Sequence, residues 1–69
     1  MHNRIRKLRL EKGWTLRQLE AKSGVGFGIL TRWERDLVNP RVDLAYYVAQ
    51  ALDVSIEYMM GWEENDERK

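Results

Sequence analysis

Four breaks divide this 69-residue chain into five short stretches: Gly13, Ser23-Gly24-Val25, Asn39-Pro40 and Asp53-Val54, with Gly61 ending the last stretch. None of the stretches alternates apolar and polar residues as a half-buried strand does. Asn3–Lys12 is rich in Arg, Lys, Leu and Glu, and Ile5 and Leu8 share one helical face. Gly13 reads as its C-cap. Thr15 and Gln18 form a Thr-x-x-Gln capping box that opens a second helix, with Leu19 as its main apolar contact and Lys22 near its end. Gly24 is the expected left-handed residue of a tight turn, and Val25 plugs the core. A third helix, Gly26–Arg35, carries Ile29, Leu30 and Trp33 as its expected buried stripe. Asp36–Arg41 is a loop punctuated by Asn39-Pro40. Val42–Leu52 is a fourth helix, whose expected core face is Val42, Ala45, Val48, Ala49 and Leu52. Ser55 caps a fifth, holding Ile56, Met59 and Met60. Five short helices with brief links predict an all-α fold.

Composition narrows the chemistry. Hydrophobic residues make up 43% and charged residues 33%, a globular balance. Cysteine is absent and the only histidine is His2, so neither a histidine zinc site nor a Ser-His-Asp triad is available. We expect no metal and no cofactor. No apolar run approaches the ~18 residues of a membrane span, so no membrane partner is expected and the cytoplasm is the expected compartment. No pair of carboxylates is placed for acid–base work, so no enzymatic activity and no small-molecule substrate are expected. One domain is expected over 1–62, followed by an acidic tail or linker over 63–69. Trp14, Trp33, Met59 and Met60 read as core. At least one of Tyr46 and Tyr47 reads as partly exposed, and Trp62 either folds back or joins a dimer contact.

The charge is unevenly divided. Residues 1–41 carry ten Lys/Arg and four Asp/Glu, a balance of +6, while residues 42–69 carry two and seven, a balance of −5. A basic half joined to an acidic half suggests one surface that meets a polyanion and another that faces away. The other reading is charge clustered by chance on solvated helix faces.

In order and spacing, several motifs resemble the Cro/repressor-type helix-turn-helix family, which includes many phage repressors. They are Arg9-x-x-x-Gly13-Trp14-Thr15, Leu19, Lys22-Ser23-Gly24-Val25, Leu30-Thr31-Arg32-Trp33-Glu34-Arg35, Asn39-Pro40 and Val48-Ala49-Gln50-Ala51-Leu52-Asp53-Val54-Ser55. The resemblance covers roughly residues 3–61. It implies a lambda-repressor-like five-helix domain with the helix-turn-helix at helices 2 and 3. It also implies double-stranded DNA as partner, a homodimer on DNA and a role as transcriptional repressor or regulator. An ion pair between Arg9 and Glu34, and backbone contacts at the start of helix 2 and in the loop after helix 3, are implied likewise.

A helix entering the major groove must be held proud of the protein by a rigid partner, which helix 2 provides. The inward stripe of helix 3 leaves Phe27, Gly28, Thr31 and Arg32 outward as candidates for groove contact. Arg32 can donate to guanine or phosphate, and Thr31 can bond a base edge or touch a thymine methyl. Thr15, at a helix N-terminus, is placed for phosphate, as are Arg17, Arg35, Asn39 and Arg41.

Three positions depart from the family pattern. Leu16 stands where a DNA-touching Gln is frequent. Glu20 stands where a small Ala is usual, and is expected to turn out to solvent or widen the helix crossing. Gly26-Phe27-Gly28 leaves the front of helix 3 short of polar side chains. The alternative function is therefore a protein-interaction module on the same fold, using Leu16, Phe27 and the glycines as an apolar patch.

Overall fold

The computed structural model describes residues 3–63. Its helices are α1 (Ile5–Glu11), α2 (Leu16–Ser23), α3 (Phe27–Glu34), α4 (Val42–Leu52) and α5 (Ile56–Met60), with no strand among the described residues. The expected all-α architecture is observed. Of the acidic tail expected over 63–69, residues 64–69 lie outside the described residues, as does His2.

Local chemistry sets the ends of these helices. The Thr15 hydroxyl accepts from the Gln18 N–H while the Gln18 side chain accepts from the Thr15 N–H, so the capping box is complete. Ser55 accepts from the Tyr58 N–H at the head of α5. Gly24 closes α2 in the left-handed region at φ 78°, where a side chain is strained.

The core is a single cluster drawn from every helix and from the α2–α3 turn. Ile5 and Leu8 of α1, Leu19 of α2, Leu30 and Trp33 of α3, Ala45, Val48, Ala49 and Leu52 of α4, and Tyr58, Met59 and Met60 of α5 are all buried. Val25 fills it from the turn, as expected. α2 packs on both α3 and α4, α1 packs on α3 and α5, and α4 packs on α5. Polar side chains also tie the start of the chain to α3 and α5. Asn3 donates to the Trp33 carbonyl at 2.8 Å, and Arg4 donates to the Tyr58 carbonyl at 2.6 Å with its guanidinium 4.3 Å from the Tyr58 ring centroid.

Two expected core positions are surface positions. Ile29 is 38% exposed and Val42 is 64% exposed. On α3 only Leu30 and Trp33, three apart, face inward; Ile29 is rotated ~100° from Leu30 and reaches the edge of the buried wedge. Val42 has the right periodicity but opens the first turn of α4 at the rim of the packed layer. Trp14 is half-buried against the core, with the Lys22 ammonium 4.8 Å and the Lys12 ammonium 5.4 Å from its ring. Tyr46, Tyr47 and Trp62 are all exposed.

The contrast within α4 is testable. Val48 is fully buried, so Val48→Asp places an uncompensated charge in the core and is expected to abolish the helical circular-dichroism signal. Val42→Asp is expected to change stability by less than ~0.5 kcal/mol in urea unfolding. A folded Val48→Asp protein would contradict the phase assigned to α4.

Candidate nucleic-acid interface

α3 is eight residues long, about 12 Å from end to end. Its two ends are held by ionised side chains, one supplied by α2 and one received by α1.

At the N-terminal end the cap residue is Gly26, which has no side chain to offer the first free amides. Glu20 of α2 takes that role: its Oε2 accepts from the Phe27 N–H at 2.9 Å. The carboxylate also sits at the positive end of the α3 dipole. Glu20 is partly buried, with its side chain 35% exposed, and its carboxylate turns to the head of α3 rather than fully to solvent. The absent cap side chain and the oversized α2 residue are thus complementary departures. Glu20 Oε1 also meets Arg17 Nη1 at 3.3 Å, an exposed pair that contributes little by itself. The Arg17 guanidinium lies 4.2 Å from the centroid of the Phe27 ring. Arg17, Glu20 and Phe27 therefore form one cluster that joins α2 to the head of α3.

At the C-terminal end Arg9 of α1 makes a two-pronged contact with Glu34. Arg9 Nε donates to Glu34 Oε2 at 2.7 Å and Nη2 donates to Oε1 at 3.0 Å. The third prong, Nη1, donates to the Trp14 carbonyl at 2.7 Å, in the α1–α2 link. The side chains are only 10% and 6% exposed. The hydrogen bonds to Glu34 hold the Arg9 pKa above its ordinary value against the opposing effect of burial. The ion pair implied by the family resemblance is present.

Between these anchors α3 presents its outer face. Gly28, Arg32 and Arg35 are exposed, and Phe27 and Thr31 are half-buried. Phe27 is thus less outward than the helical phase suggested, because its ring lies under Arg17. The Thr31 hydroxyl donates to the Phe27 carbonyl at 2.9 Å, so its one hydrogen is committed within the helix. Thr15 is exposed at the head of α2. Asn39 and Arg41 are exposed on the α3–α4 link, with Arg41 Nη2 2.9 Å from Asp43 Oδ2. The structure brings Arg17 and Phe27 into contact, with Thr31 one turn along α3 bonded to the Phe27 carbonyl. Asn39 and Arg41 lie beyond the opposite end of α3.

The family model described as Helix-turn-helix matches residues 5–59. The chain belongs to the Cro/repressor-type helix-turn-helix family. Among helix-turn-helix relatives it is 38% identical over 65 residues to the transcriptional regulator SinR of Bacillus licheniformis, covering 93% of this chain and 57% of that protein. It is 47% identical over 49 residues to an uncharacterized transcriptional regulator of Sinorhizobium fredii, covering 71% of this chain and 64% of the other. The solved N-terminal DNA-binding domain of SinR from Bacillus subtilis matches with a TM-score of 0.80 at 36% identity, covering 90% of this chain and 88% of that one. The chain spans a little over half the length of the SinR relatives it matches.

Two residues of this helix-turn-helix surface escaped the sequence reading. Glu20 was legible in principle, since a glycine at the cap position leaves an amide for another group to satisfy. Ile29 was not, because an apolar residue at the edge of a two-turn helix fits either face.

The Arg9–Glu34 pair makes a direct prediction. Arg9→Met leaves a buried carboxylate without its partner and is expected to lower the unfolding free energy by ~3–5 kcal/mol. Adding Glu34→Leu removes the orphaned charge and is expected to recover most of that loss in urea unfolding. A single variant as stable as the parent would show that the pair does not hold α3.

Proposed function

We propose that this chain binds double-stranded DNA in a sequence-specific manner and regulates transcription, acting as a repressor. The observation that carries the reading is an outward-facing α3, anchored at both ends and bearing or bordered by the exposed Arg17, Arg32 and Arg35, in a fold similar to a solved DNA-binding domain. α3 enters the major groove with Phe27, Gly28, Thr31 and Arg32 toward the bases. Arg32 donates to guanine O6 and N7 or to an adjacent phosphate. Thr15 and Arg17 on α2, together with Arg35, Asn39 and Arg41, meet phosphates and set the register. Arg9 and Glu34 stay behind the interface and orient α3.

Binding is as a homodimer on half-sites about one helical turn apart, ~34 Å. The DNA-binding unit is residues 1–62, and 63–69 serve as a tail or linker. The site acts in the cytoplasm and performs no catalysis. Charge supports this reading: the +6 balance of residues 1–41 falls on the half that contains α1, α2 and α3. No described helix is long and apolar enough to cross a membrane.

The test is affinity for duplex DNA as a function of salt. The expected log–log slope is negative, because phosphate contacts release counterions. Arg41→Ala is expected to weaken binding to all sequences alike and to reduce the slope by about 1. Absence of duplex binding at low salt would refute the proposal. If Phe27→Ala alone then removed the biological effect, the protein-interaction reading would replace it.

A further inference from the structure

We propose that the first turn of α3 reads the C5-methyl groups of thymines on the major-groove edge, rather than the hydrogen-bonding groups of the bases. The inference rests on the duplex-binding reading above and names what that surface recognises.

The first turn is Phe27-Gly28-Ile29. None of these side chains can donate or accept a hydrogen bond. The Phe27 N–H is already held by Glu20, and the Thr31 hydroxyl hydrogen by the Phe27 carbonyl. What remains outward at the tip is apolar. Ile29 is 38% exposed, and Phe27 offers the part of its ring that Arg17 leaves uncovered. These two residues border Gly28 on either side, and a Cβ built at Gly28 meets nothing within 4 Å, so the space in front of the helix is open. A base edge can come close to the backbone there.

Electrostatics place this tip away from phosphate. The Glu20 carboxylate occupies the positive end of the α3 dipole, where it repels an anion. The exposed Arg17 lies against Phe27 at the tip, and the exposed Arg32 follows one turn along α3; both fit the polyanion beside the tip. An apolar tip with cations beside it matches a groove floor bearing methyl groups between two phosphate walls. On the major-groove edge the thymine methyl is the apolar feature of the four base pairs.

The experiment starts from duplexes selected from a random pool for tight binding. Each thymine of the selected half-site is replaced by deoxyuridine, which removes one methyl group and keeps every hydrogen-bonding atom. At least one replacement per half-site is expected to weaken binding about fourfold. Ile29→Ala, or Phe27→Ala in a protein shown to be folded by circular dichroism, is expected to bind the thymine and uracil duplexes equally at that position. Uracil duplexes bound as tightly as thymine duplexes, with the salt slope intact, would overturn methyl reading and leave duplex binding standing. So would selected half-sites that contain no thymine. Failure to bind any duplex in a salt-dependent way would overturn both readings.

Discussion

An eight-residue helix does not hold its shape alone in water. α3 is therefore only as rigid as its attachments, and the rest of the structure is arranged around that constraint. Leu30 and Trp33 fix its inner face, Glu20 satisfies its first amide, and Arg9 grips Glu34 at its last turn. Arg9 also holds the Trp14 carbonyl, so one guanidinium ties together α1, the α1–α2 link and α3. The buried pair contributes orientation more than net stability, because desolvating two charges offsets much of their attraction. A side chain with fixed fork geometry suits that work better than a lysine would.

The anchoring explains how a domain this small can leave a face uncovered. α1, α4 and α5 form the body that receives α2 and α3. Arg4 and Asn3 stitch the start of the chain to the ends of α5 and α3. The outer face of α3 makes none of the core contacts. Gly28, Arg32 and Arg35 are exposed there and remain available for recognition, which is the division of labour the proposed DNA contact requires. The cations follow the same division: every Lys and Arg among the described residues lies in 3–41, the stretch that holds α1, α2 and α3.

Much of this was legible from sequence because the signals were local. The Thr15–Gln18 box, Gly24 at its left-handed turn, and Ser55 before α5 each act within a few residues, and each stands where expected. The Arg9–Glu34 contact spans 25 positions and came from family resemblance rather than from spacing. The misplaced residues were those whose position depends on what lies beyond their own helix. Ile29 and Val42 have core-like periodicity, yet periodicity does not reveal whether a neighbour covers the edge of a short helix or its first turn. Glu20 was read as a poor fit to the helix crossing, because its partner is a backbone amide of another helix. The base-reading and phosphate-contacting roles belong to a complex, and neither sequence nor fold alone contains the second molecule.

The central claim is that one face, made of the anchored α3, the head of α2 and the α3–α4 link, meets the duplex. Amide chemical-shift mapping during titration with a selected DNA duplex tests it most directly. The account predicts perturbations concentrated at residues 15–18, 26–35 and 39–41, with the exposed side of α4 around Tyr46 and Gln50 little changed in a one-to-one protomer–half-site complex. Perturbations confined to α4 and α5, with α3 unmoved, would contradict it.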